Sequence, residues 1–251
     1  MLDSGCATHH EKLVQPLTYL SGAEVVLFDA VGTLLEPVRS IPEIYAEVAR
    51  RWGSRRCVEE IAQRWPVALK RYELRGRKPQ LFGPCPLPAE TFVATSETIE
   101  RARWRRIVLY TVDDVIGSNA DGLFHELWRY FADPDNWRLS GVLASLWDKL
   151  QAMGIRVGLA SNYDQRLVEL SQKLPPLNTA DYVFTSAALG YPKPHPNFYR
   201  EIEKRTGRSG PRLALIGDDR KSDVLVPRSR GWLSLWWDRQ SQVLTGDVEG
   251  F

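Results

Sequence analysis

Residues 23–28 (AEVVLF) form a short uninterrupted apolar run rich in β-branched side chains, the pattern of a strand covered on both faces of a parallel sheet. Gly32 breaks it. From about Ile41 to Trp137 no comparable run occurs, and the spacing of apolar positions is helical over 41–53 (IPEIYAEVARRWG), 58–74 (VEEIAQRWPVALKRYEL) and 95–115 (TSETIERARWRRIVLYTVDDV). Between the last two lies RGRKPQLFGPCPLPAE (75–90), dense in Pro and Gly and read as a loop. The α/β rhythm then returns, with 140–154 (SGVLASLWDKLQAMG) as a helix and 155–160 (IRVGLA), 182–185 (YVFT), 213–217 (LALIG) and 232–237 (WLSLWW) as strands. The pattern predicts an α/β fold with a helical insertion after the first strand. No internal repeat or low-complexity segment interrupts it.

Four phrases recur in one order, each at the end of an apolar run: VVLFDAVGT (25–33), VGLASN (157–162), LGYPKP (189–194) and LALIGDDRKSD (213–223). They bring a carboxylate (Asp29), a hydroxyl (Ser161), an ammonium (Lys193) and a carboxylate cluster (Asp218, Asp219, Asp223) to one edge of the sheet, where open α/β sheets build their sites. Taken singly, each has an ordinary reading. An Asp after a strand forms turns or caps helices, Ser161-Asn162 is a turn, and a lysine between prolines is solvated. Together with Asp29 the last cluster sets several negative charges within a few ångströms, which raises their pKa values unless a cation is present. Mg²⁺ is the usual hard cation for carboxylates, carbonyls and water.

The four phrases resemble the motifs of the haloacid dehalogenase-like (HAD) hydrolase superfamily, in its C1-capped branch. The resemblance implies a doubly wound parallel sheet, a Rossmann-like core of residues 22–36 plus 138–251, a helical cap of residues 37–137, and an N-terminal extension of residues 1–21. It further implies that Asp29 is the nucleophile of a covalent intermediate, that Thr33 fixes the loop, and that Thr33, Ser161, Asn162 and Lys193 serve the substrate, Lys193 also acting in catalysis. Mg²⁺ would be held by Asp29, the carbonyl of Val31 and Asp218, with Asp223 acting through water or by holding the lysine. Asp219 is a bystander, and His195 is a turn or N-cap residue ahead of Pro196.

The chain departs from that pattern at one place. The superfamily's phosphatases carry a second Asp two residues after the nucleophile, which protonates the leaving group, and Val31 stands there. The expected function is a Mg²⁺-dependent phosphohydrolase acting on a small phosphorylated metabolite through a phospho-Asp29 intermediate, with its general acid missing. The alternatives are a binding or regulatory protein that has lost turnover and a metal-free 2-haloacid dehalogenase, whose branch also lacks that carboxylate. The phosphonoacetaldehyde hydrolase branch needs a cap lysine for a Schiff base, for which Lys70 and Lys78 are the candidates.

Composition narrows the partners. With 33 basic and 31 acidic residues the net charge is +2, a balance that argues against a nucleic-acid surface and for a small or medium ligand; the resemblance implies that this ligand is a small anionic molecule. Arg-rich 70–78 and 100–106 read as solvated helix faces, with Trp104, Ile107 and Val108 as core. Cys6, Cys57 and Cys85 lack CxxC spacing, so neither a disulfide framework nor a zinc site is indicated. No signal peptide or 18-residue apolar run occurs, giving the expectation of a cytoplasmic protein with no membrane partner. Nothing in the pattern sets an oligomeric state.

Overall fold

A computed structural model describes residues 11–73 and 94–246. Its strands are β1 (Val25–Phe28), β2 (Leu35–Pro37), β3 (Trp137–Leu139), β4 (Arg156–Ser161), β5 (Tyr182–Thr185), β6 (Leu213–Gly217), β7 (Leu233–Asp238) and β8 (Val243–Thr245). The main sheet has the order β5-β4-β1-β6-β7-β8. β1 pairs in parallel with β4 on one side and β6 on the other, Phe28 lying opposite both Leu159 and Ile216. Among the described residues of this sheet only β8, at the edge, runs antiparallel to its neighbour.

The helices are α1 (Glu11–Leu20), α2 (Ile41–Arg51), α3 (Val58–Arg71), α4 (Glu97–Thr111), α5 (Ser118–Tyr130), α6 (Gly141–Ala152), α7 (Gln165–Lys173), α8 (Ser186–Leu189), α9 (Pro196–Thr206) and α10 (Val226–Ser229). All four side chains of β1 are buried, and they alternate between two cores. Val26 and Phe28 join Leu143, Leu146 and Trp147 of α6 and Leu167 and Leu170 of α7. Val25 and Leu27 join Phe198, Tyr199 and Ile202 of α9. Coverage of both faces is what makes β1 a continuous apolar run, and it is the doubly wound arrangement that the sequence predicts. Residues 11–20, within the expected extension, form α1, whose Leu13 and Leu20 are buried in the first of these cores.

Helices α2 to α5 build a separate apolar cluster around Ile44, Val48, Ile61, Val108, Leu123 and Phe124. Ile107 and Val108 are buried and Trp104 packs against the cluster, as expected. Ser40 caps α2, accepting from Glu43 N–H while the Glu43 carboxylate reaches back to Ser40 N–H. Helix α5 escapes the sequence pattern because it opens SNADG, a composition of turns, and carries Gly122 inside it. That glycine is needed: a Cβ there would lie 2.2 Å from the ring of Trp52, the residue after α2. The helical unit joins the sheet through a two-stranded antiparallel ribbon of β2 and β3, Leu35 opposite Leu139 and Pro37 opposite Trp137. At three residues each, these strands are too short to show an alternation.

A cation–π contact from a buried ion pair joins the two units. Arg166, at the start of α7, bonds both oxygens of Asp164 at 2.8 and 2.7 Å, and its guanidinium lies 3.5 Å from the centre of the Trp128 ring of α5. Among the described residues no helix is long and apolar enough to cross a membrane.

Trp147 is fully buried, lies 5.4 Å from Phe28 ring to ring, and donates from Nε1 to Thr179 Oγ1 at 3.2 Å. Trp147→Ala should lower the urea-unfolding free energy by about 3–5 kcal/mol. A loss under about 1 kcal/mol would show that this core does not carry the sheet.

Candidate active site

Because β1 lies between β4 and β6, the residues that follow these three strands meet. Asp29 leaves β1, its N–H still bonded to Ile216 of β6 at 2.8 Å. Ser161 ends β4, and Asp218 follows β6. The chain then makes one wide turn over Arg220–Leu225, which returns Asp223 to the same place.

Lys193 reaches this point from the loop between α8 and α9. Its backbone is clamped by Asn162, whose side-chain carbonyl accepts from Lys193 N–H at 2.6 Å and whose amide donates to the Lys193 carbonyl at 2.9 Å. Its Nζ donates to Asp29 Oδ1 at 2.7 Å, Asp223 Oδ1 at 2.7 Å and the Ala160 carbonyl at 2.9 Å. Those are all the donors an ammonium has. Asp223 is held on its other oxygen by Asp219 N–H at 3.1 Å, so its carboxylate positions the lysine. Asn162, read from the sequence as a substrate group, has its side chain engaged by Lys193. The loop His195 side chain accepts from Asn197 N–H at 3.0 Å and caps α9, as expected.

Thr33 joins the first and last motifs. Its hydroxyl donates to Asp218 Oδ1 at 3.2 Å and accepts from Asp218 N–H at 3.1 Å. Gly32 makes that approach possible: its φ is +98°, and a Cβ there would stand 2.7 Å from Asp218 Oδ2. The Val31 side chain is half buried and packs against the core of α6. Across the same turn Leu35 N–H bonds the Ala30 carbonyl at 2.8 Å and Gly32 N–H bonds the Leu35 carbonyl at 3.0 Å, leaving the Val31 carbonyl outside that pairing.

The electrostatics are those of crowded carboxylates. Burial, opposed by Lys193 and reinforced by Asp29, pushes Asp223 up to about 7. Asp218 is also raised, first by burial and then by the Asp29 charge. Burial would lower Lys193, but Asp223 and Asp29 outweigh it and hold the ammonium protonated. Oxygens of Asp29, Asp218 and Asp223 lie within 4.8 Å of one another. Among the described residues Asp29 Oδ2 and Asp218 Oδ2 take part in no hydrogen bond, so Asp29 keeps one oxygen for a reacting atom and Asp218 keeps one for a cation. The donor set fits Mg²⁺.

Other residues singled out by sequence lie elsewhere. Lys70 is exposed in the last turn of α3, while Lys78, Cys6 and Cys85 fall outside the described residues. In the Arg-rich stretch of α4, Arg101 lies over the Trp128 ring, Arg103 bonds Glu100, and Arg105 bonds Asp121. Arg239, which sequence reasoning passed over, lies immediately after β7 with Nη1 3.9 Å from Asp218 Oδ2. Its place at the carboxyl end of a parallel strand beside β6 was the available signal.

Lys193→Met should cost about 3–5 kcal/mol at pH 7, because it leaves two buried carboxylates without their cation. With the ammonium gone, nothing opposes the burial that holds the Asp223 carboxyl above its unfolded range. Stability is then fully present below the unfolded pKa and lost as pH rises through the folded pKa. Urea unfolding should therefore show a smaller deficit at pH 5 than at pH 7, and a deficit independent of pH would contradict the arrangement.

Comparison with known proteins bears on the whole of this arrangement. The zebrafish (Danio rerio) haloacid dehalogenase-like hydrolase domain-containing protein 3 is 26% identical over 209 residues, covering 82% of this chain and 81% of its own. The mouse (Mus musculus) protein of the same name is 24% identical over 197 residues, covering 77% and 73%. Among solved structures, the L-2-haloacid dehalogenase of Xanthobacter autotrophicus with chloropropionic acid covalently bound superposes with a TM-score of 0.58 at 19% identity, over 84% of this chain and 76% of that one. The 2-haloacid dehalogenase of Pseudomonas syringae pv. tomato gives 0.55 at 18% identity, over 88% and 89%. At such identities these structures speak for the fold alone. The family profile of the haloacid dehalogenase-like hydrolases matches residues 23–229, most of the chain, and the protein belongs to that family.

Proposed function

We propose that the protein is a Mg²⁺-dependent phosphohydrolase for a small phosphorylated metabolite with a good leaving group. The observation that carries this reading is the buried Lys193 ammonium bonded to both Asp29 and Asp223, beside an Asp218 that burial and charge leave short of a cation. A metal-free haloacid dehalogenase would not need the Asp218 carboxylate as a cation ligand.

Asp29, the carbonyl of Val31 and Asp218 would hold the cation, which would neutralise the phosphoryl oxygens. Lys193 fixes Asp29 by one oxygen and leaves the other to attack phosphorus. The bond from phosphorus to the leaving oxygen breaks as the bond to Asp29 forms, and the leaving group departs with its electron pair as an anion. Water then attacks phosphorus and frees Asp29, its proton balancing the departed anion. Ser161, at the end of β4, would donate to a phosphoryl oxygen.

With Val31 two residues after the nucleophile, no side chain at that position donates a proton to the leaving group. General acid catalysis is worth about 10²–10⁴-fold, so aryl and acyl phosphates should turn over faster than alkyl phosphates by orders of magnitude. Val31→Asp should raise alkyl-phosphate turnover toward that factor at saturating Mg²⁺, and Asp29→Asn in the same background should abolish the gain. Absence of turnover on every ester, in protein shown to be folded, would favour the binding-protein reading. A gain surviving without Asp29 would remove the covalent route.

A further inference from the structure

A cleft of about 440 Å³ opens between the chain that leaves β2, the indole of Trp65 on α3, Arg138 of β3 and Arg239 past β7. Arg239 connects it to the acidic cluster, since the same guanidinium lies 3.9 Å from Asp218 Oδ2 and 3.7 Å from Glu36 Oε1. We propose that this cleft seats the part of the substrate that is not transferred, and that this part is a flat ring bearing a carboxylate, recognised by Trp65 and Arg239. The proposal rests on the phosphoryl-transfer reading above and names its substrate class.

The anion follows from counting charges along the walls. Arg39, Arg138 and Arg239 face one carboxylate, Glu36. Arg39 is neutralised from outside the cleft by Glu47, at 2.5 Å. Arg138 takes Glu36, bonding one of its oxygens at 3.1 and 3.3 Å. Arg239 is left at ion-pair distance from two carboxylates and within hydrogen-bonding distance of neither, its side chain 50% exposed. A guanidinium in that state offers a planar fork of donors matched to a carboxylate.

The ring follows from the opposite wall. Trp65 is half buried and fixed, stacked on Trp104 at 5.9 Å and edge-on to Tyr45 at 4.9 Å. Val38, 41% exposed, continues the apolar surface. Apolar walls with one or two placed charges are the usual make-up of a small-molecule site, and a wall already held in position binds at a lower ordering cost. The reading of Val31 agrees. Val31 calls for a leaving group that departs as a stable anion, and a phenolate is both flat and stable.

The test is calorimetry with inert phosphonates in the presence of Mg²⁺: methylphosphonate, phenylphosphonate and 4-carboxyphenylphosphonate. The carboxylated compound should bind the parent about tenfold or more tighter than phenylphosphonate, as expected of a charge-assisted bond. In Arg239→Gln the ratio of those two affinities should fall to about one, and Arg239→Lys should restore part of it. Trp65→Ala should weaken both aryl compounds relative to methylphosphonate. Thermal unfolding of each variant reports whether it is folded, and the ratios are internal to each protein. A ratio near one in the parent, or one that survives Arg239→Gln, overturns the assignment of the cleft while methylphosphonate binding leaves the phosphoryl site standing. Failure of all three compounds to bind overturns both readings together.

Discussion

One buried ammonium organises the site. Lys193 Nζ holds Asp29 from β1, Asp223 from the turn after β6, and the Ala160 carbonyl of β4, each within 2.9 Å. The three strands are neighbours, but their carboxylates repel one another, and burial sharpens the repulsion because little water screens it. The lysine turns that repulsion into a set of fixed distances. It needs fixing in turn, and Asn162 does so through two bonds to the Lys193 backbone. A chain of constraint therefore runs from Asn162 through Lys193 to Asp29. Among the described residues it leaves Asp29 Oδ2 and Asp218 Oδ2 as the oxygens of those two carboxylates that accept no hydrogen bond.

Sheet topology places these groups without any help from long-range design. β1 sits at the centre because the chain crosses to β4 and β5 on one side and to β6 and β7 on the other. The strand ends flanking that reversal form the crevice where open α/β sheets bind ligands. The helical unit of α2 to α5 is attached through the β2–β3 ribbon, and its contact with the sheet layer includes the Arg166–Asp164 pair beneath Trp128. Trp65 and the chain after β2 line one cleft with Arg239.

Much of this was legible in the sequence, for identifiable reasons. β1, β4 and β6 are buried on both faces and therefore read as unbroken apolar runs. The motifs attached to their ends gave Asp29, Ser161, Lys193, Asp218 and Asp223 as a group, and His195 as a cap. Other features left weaker traces. Helix α5 was hidden by its turn-like opening and by Gly122, which serves a packing contact with Trp52 rather than a turn. β2 and β3 are too short for periodicity. The engagement of the Asn162 amide depends on a partner 31 positions away, which no local pattern reports. Arg239 stands two residues beyond the strand predicted over 232–237, where the strand-end rule applies, yet a lone arginine carries no motif to draw attention to it.

The central claim is that the Lys193-pinned Asp29 is a phosphoryl acceptor served by a cation on Asp218. Its most direct measurement is a crystal structure of the protein with Mg²⁺ and beryllofluoride, a tetrahedral mimic of a phosphoryl group on a carboxylate. The account predicts beryllium bonded to Asp29 Oδ2, Mg²⁺ in contact with Asp218, and Lys193 still bonded to Asp29 Oδ1. Beryllofluoride absent from Asp29 at saturating Mg²⁺, with Lys193 in place, would contradict it.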